Sequence, residues 1–170
     1  MMKSLMAAAM LLPGAAGMPA AAQNSEQDAG PVGPASQFAM LAELQGEWTV
    51  DQTEQLRIVF EVTAGGTTVM ERWMVGERTH SLTLYHLDGA RLVATHYCPQ
   101  GNQPRLEAQA DGEGGIDFGF ASATDLDSSE SYQHDLHIAP QADGSVVRSE
   151  VYFGPDGPGD PSALILRRAG

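Results

Sequence analysis

The sequence predicts an all-β fold, an antiparallel up-and-down barrel of about ten strands behind one short N-terminal helix. Three observations carry this prediction. From Glu47 onward apolar and polar residues alternate with a period of two. Turn clusters such as Gly65-Gly66, Asp88-Gly89 and Asp143-Gly144 separate the alternating runs. No run between the turns has both the length and the period of a helix. Short turns make successive strands antiparallel neighbours, and a meander with one apolar face removes its exposed edges by closing on itself.

The elements follow in order. Met1–Ala22 joins a basic start at Lys3 to an apolar stretch, Leu5–Leu12, and to Ala20 and Ala22 in an A-x-A arrangement. This is the pattern of a secretory signal peptide, cleaved before Gln23. The apolar run is too short to span a bilayer and is interrupted by Pro13 and Gly14. Residues 23–35 are polar, with Pro and Gly and no apolar period, and read as a disordered leader to a single domain over 36–170. Ser36 is the expected helix cap, Phe38, Leu41 and Leu44 the buried face, and Gly46 the stop. Strands are expected near residues 47–50, 56–63, 67–75, 80–87, 90–97, 105–110, 115–121, 132–139, 145–153 and 163–168.

Charge narrows the function classes. Nine basic residues stand against 22 acidic ones, for a formal net charge of −13. Such a surface repels phosphate backbones and anionic bilayers, so neither nucleic acid nor membrane insertion after signal cleavage is expected. The single Cys98 cannot form an intramolecular disulfide, so a hydrophobic core must supply the stability. Export to the periplasm or the medium is the expected location.

At Gly46-Glu47-Trp48 a short helix runs into G-x-W on the first strand of a meander. In this the chain resembles the calycin superfamily of lipocalin-like barrels. The resemblance implies that Trp48 closes the barrel base under a C-terminal arginine, Arg167 or Arg168, and that the barrel holds a small molecule. A second lipocalin motif such as T-D-Y is absent from the middle of the chain. Thr95-His96-Tyr97-Cys98 followed by Asn102-Gln103-Pro104-Arg105, together with Tyr85–Gly89 and Ala123–Leu126, is also similar to a group of uncharacterised exported bacterial proteins. That second resemblance implies no activity.

Strand parity selects the cavity-facing side chains. An even loop at Gly65-Gly66 pairs Phe60 with Glu71 and Ile58 with Trp73, so that Leu56, Ile58, Phe60, Val62, Val69, Glu71, Trp73 and Val75 share the inner face. Glu71 is the one charge on that face, and a carboxylate there needs a partner, a hydrogen bond or a proton. An even loop at Gly76-Glu77 carries the inner face on through His80, Leu82, Leu84 and His86, then Arg91, Val93, Thr95 and Tyr97. A three-residue loop at Gly76 would instead turn Ser81, Thr83, Tyr85, Leu92, Ala94, His96 and Cys98 inward. Farther on, Tyr132, His134, Leu136 and Ile138 form the apolar set, with His137 outside. The expected ligand-binding residues are therefore Phe60, Glu71, Trp73, Leu84, His86, Tyr97 and His134, with Asn102 and Arg105 on a mouth loop.

Other chemistry is sparse. His134 and His137, three apart on a strand, point to opposite faces and cannot share a metal. His96 and Cys98 share a face but lack a third zinc ligand. No metal site is expected. The calycin resemblance admits haem on a luminal histidine such as His86 or His134, and otherwise no cofactor is expected. There is no nucleophile elbow, phosphate loop or dinucleotide fingerprint. The expected function is binding of a small, largely apolar molecule. The alternatives are a barrel enzyme, such as an isomerase using Glu71 and a luminal histidine, and an interaction module with a filled lumen.

Overall fold

The computed structural model describes residues 33–109 and 114–170. The proposed signal peptide and most of the leader lie outside these residues. Helix α1 (Pro34–Glu43) precedes strands β1 (Gly46–Val50), β2 (Thr53–Thr63), β3 (Thr68–Val75), β4 (Arg78–Asp88), β5 (Arg91–Tyr97), β6 (Gln103–Ala108), β7 (Ile116–Thr124), β8 (Tyr132–Pro140), β9 (Val146–Gly154), β10 (Gly157–Pro158) and β11 (Ser162–Arg168). Each strand from β1 to β9 pairs antiparallel with the next along the chain. β11 then bridges β9 and β1, so ten strands close into a lipocalin-like antiparallel barrel. The two-residue β10 is an appendage on β9.

Helix α1 begins at Pro34, whose missing N–H is no loss in a first turn, with Gly33 rather than Ser36 at the N-cap. Its buried face is Gln37 and Leu41, continued by Leu44, while Phe38 packs at the margin. Gly46 does not stop the helix; Leu44 is the C-cap and Gly46 opens β1. Among the described residues no helix is long and apolar enough to cross a membrane.

The helix end is sealed by Trp48. Its ring is buried, its indole N–H donates to the Leu44 carbonyl at 2.8 Å, and the Arg168 guanidinium lies 4.6 Å above the ring centroid. Arg168 also donates to the Gln45 and Glu43 carbonyls at 2.8 and 3.2 Å, tying the last strand to the end of α1. Gly46 has φ of +132°, and a Cβ there would sit 2.9 Å from Arg168 Nη1. The glycine of G-x-W is thus demanded by backbone conformation, and a Cβ there would also push aside the tip of Arg168. Arg167 points elsewhere, to Asp51 and Asp143.

Of the four register slips among the described strands, those on β4 and β8 exchange residues expected to face the cavity. The β2–β3 register pairs Phe60 with Glu71 and Ile58 with Trp73. In the next hairpin Val75 pairs with Arg78 across the two-residue Gly76-Glu77 turn. The register then slips, so that Met74 opposes Thr79 while Trp73 opposes Ser81. His80 is the extra residue, and one extra residue exchanges the two faces of a strand. Ser81, Thr83 and Tyr85 are therefore buried, followed on β5 by Leu92, Ala94 and His96. The turn is even as expected, but the inner face expected for this hairpin is overturned by the bulge. Leu84 and His86 alternate with the buried row, and Tyr97 is 43% exposed. A second slip on β8 lies between Gln133 and Asp135, and it buries Gln133 instead of His134.

Candidate functional site

The inward residues change character along the barrel. At the helix end they are apolar: Val69 on β3, Tyr85 on β4, Leu92 on β5 and Val146 on β9. Toward the loop end the same strands present Glu71 and Trp73, Thr83 and Ser81, His96, and then Arg148, Glu150 and Tyr152. The polar positions are linked. Arg148 is 1% exposed; its Nε donates to Glu71 at 2.6 Å and its Nη1 to Glu150 at 2.8 Å. The Trp73 indole N–H donates to Glu71 at 2.7 Å, and the Tyr85 hydroxyl donates to the other Glu71 oxygen. Gln133 donates to Glu150 at 2.7 Å. The Arg148 guanidinium stacks on Trp73, 4.6 Å from the ring centroid. One buried guanidinium thus holds two carboxyl groups, which keeps a charge in a place that would otherwise expel it.

The ionisation of these groups follows from their surroundings. Burial alone would lower Arg148, but Glu71 and Glu150 outweigh it and raise the guanidinium above its usual value. Burial pushes the Glu150 carboxyl up, yet Arg148 and the Gln133 amide hold it below the usual range. Burial, and then Glu71, push Tyr85 well up. Burial, followed by the repulsion of Arg148, lowers His96 from 6.5 to about 4, so its imidazole is neutral at pH 7. Both His96 ring nitrogens are engaged, Nδ1 with the Thr83 hydroxyl at 2.9 Å and Nε2 with the Tyr152 hydroxyl at 3.3 Å.

A cavity of about 220 Å³ lies over this network, lined by Trp73, His80, Ser81, His96, Pro99, Glu150 and Tyr152. It is reached past the bulged His80 and the Pro99 loop. A second cavity of similar volume lies against Asp117, His137 and Ser149 on the other face of β7–β9, where His137 donates to Asp117 at 2.6 Å.

Of the residues selected from sequence, Trp73 lines the first cavity and Glu71 lies in the network beneath it. Phe60 is in the apolar core. Leu84, His86 and Tyr97 belong to the other face of their strands, and His86 is hydrogen-bonded to the Leu87 carbonyl at 3.3 Å. His134 is stacked on Phe153, with centroids 3.8 Å apart, and on Phe120. Asn102 is fully buried; its amide donates to Glu130 and to the Ser131 carbonyl, so it fastens one loop to another. Arg105 lies within β6 and pairs with Asp88 at 2.8 Å. The residues missed from sequence are Arg148, Glu150, Gln133 and Tyr152. A signal was present: with Leu136 and Ile138 inward, their β9 partners Glu150 and Arg148 must be inward too.

Of the histidines the resemblance offered for haem, neither His86 nor His134 lies on the cavity; of the two that line it, the buried His96 has both ring nitrogens engaged and His80 stands on the bulge of β4. Among the described residues no three His, Cys, Asp or Glu side chains are grouped to hold a metal ion. No family model and no curated protein matches the chain.

Proposed function

We propose that this is an exported small-molecule-binding protein of the calycin type, taking its ligand into the cavity over the Arg148 network. The observation that carries the reading is the gradient along the lumen. The helix end is packed with apolar side chains, whereas the loop end holds a cavity with convergent polar groups, the usual form of a ligand site. Its volume is below the roughly 300–1,000 Å³ of common ligand pockets, so the ligand is compact. The mixed lining, with Trp73 and Tyr152 beside Ser81 and Glu150, favours a ligand with both an apolar body and a polar group. Support for the calycin assignment comes from the G-x-W tryptophan under a C-terminal arginine, and for export from the N-terminal segment. The cavity favours binding over a filled interaction module. An isomerase-like enzyme has less support, because Glu71 is held by three donors.

Native mass spectrometry of protein purified from its own host tests this. The expected result is a mass excess of one small molecule, released on denaturation. A ligand-free mass, together with no thermal shift from any member of a broad panel of small metabolites, contradicts the proposal.

A further inference from the structure

We infer that the ligand of this cavity is a small cationic nitrogen base, an amine or amidine whose N–H groups are received by Glu150. The inference rests on the binding function proposed above and specifies its chemistry. Glu150 lines the cavity with its side chain 11% exposed. One carboxylate oxygen, Oε2, accepts from both Arg148 and Gln133, and among the described residues nothing donates to Oε1. Arg148 holds this carboxyl in its ionised form, so the free oxygen can only accept. A site built around such an oxygen discriminates in favour of a ligand that brings a donor, and charge-assisted donors are the strong ones.

The remaining lining agrees with this. No lysine or arginine side chain is part of it. Two histidines line it, the exposed His80 at the rim and the buried His96, which stays neutral at pH 7 and adds no positive charge. Beneath the cavity two carboxyl groups share the single Arg148 guanidinium through Nε and Nη1, while its Nη2 is buried without a hydrogen-bond partner among the described residues. Trp73 and Tyr152 supply aromatic surface, which suits an organic cation. The Ser81 hydroxyl, without a hydrogen-bond partner among the described residues, can accept a second N–H. The net charge of −13 draws cations toward the protein and repels anions.

The test uses three probes of one shape and different charge: benzylamine, benzyl alcohol and benzoate. Each is titrated into the wild-type protein at pH 7 while the two tryptophan indole N–H resonances are followed by NMR. Benzylamine should bind about tenfold more tightly than benzyl alcohol. It should move the Trp73 resonance and leave Trp48 unmoved, and benzoate should not bind. Glu150→Gln, if folded by its NMR spectrum, should erase the amine preference while still binding benzyl alcohol. Equal or tighter binding of benzyl alcohol or benzoate overturns the cationic class but leaves ligand binding standing. An amine preference that survives Glu150→Gln overturns the assignment to Glu150. Failure of all three probes to move Trp73, when another compound of a broad panel does move it, overturns the cationic inference alone; failure of the whole panel overturns the binding function as well.

Discussion

The barrel contains two arginine–tryptophan stacks with the same 4.6 Å separation, Arg168 on Trp48 and Arg148 on Trp73, and they do different things. Arg168 is exposed and spends its N–H groups on carbonyls at the end of α1, where a cation is also favoured by the helix dipole. It is a clasp, and stacking at such a site is worth about 0.5–1 kcal/mol. Arg148 is buried with Glu71 and Glu150, and its contact with Trp73 is secondary to the ionic set it completes. A buried ion pair gains little over a well-packed apolar substitute, yet breaking one leaves an unpaired charge behind. One geometry therefore closes a barrel at one end, and at the other it maintains polar groups under a cavity where apolar packing would be cheaper.

The two stacks should respond very differently to mutation. Arg148→Met strands two acids in the core and should cost about 3–5 kcal/mol in urea unfolding. Replacing Glu71 and Glu150 by Gln in that background should recover part of the loss. A cost of the same small size as at Arg168 would erase the distinction between the stacks.

Acid should also act on the network. His96 is lowered from 6.5 to about 4, so between these values the unfolded chain takes up a proton that the folded barrel refuses. Stability is complete above 6.5 and falls as pH drops through this window, by about 3 kcal/mol in all. His96→Asn should flatten this part of the pH–stability curve. Glu150, held below its usual range, adds a loss at still lower pH as its folded-state carboxyl protonates.

Effects at the clasp should be smaller. Gly46→Ala meets both a positive φ and the Arg168 side chain, and should cost about 1–3 kcal/mol. Arg168→Ala should cost about 0.5–2 kcal/mol, through the lost stack and the lost bonds to α1. Thermal or urea denaturation measures both, and a larger loss for Arg168→Ala than for Arg148→Met would invert the comparison.

The two ends also differ in how legible they were. The clasp is local in its signals: a glycine, a tryptophan two residues on and basic residues on the last strand suffice to locate it. The ten main strands were equally readable, because alternation and turn residues are properties of single segments. The cavity depends on parity carried across several hairpins, where one inserted residue reverses every later assignment. His80 did this on β4, exchanging Leu84 and His86 for Ser81, Thr83 and Tyr85. The slip beside His134 did the same on β8 in favour of Gln133. Neither bulge is marked by a glycine or proline. Both faces of the β4–β5 hairpin are half apolar, so alternation offered no correction. Glu71 was recognisable as a charge in need of a partner, but its partner lay 77 residues along the chain.

Because Trp73 lines the cavity and Trp48 lies in the clasp, the chain's two tryptophans report separately on its two ends. The most direct test of the central claim is a small-molecule library screened by the NMR shifts of the two indole N–H groups. The binding reading predicts compounds that shift Trp73 in a saturable manner and leave Trp48 unmoved. A complete screen in which no compound shifts Trp73, or in which every binder acts at Trp48 instead, would contradict it.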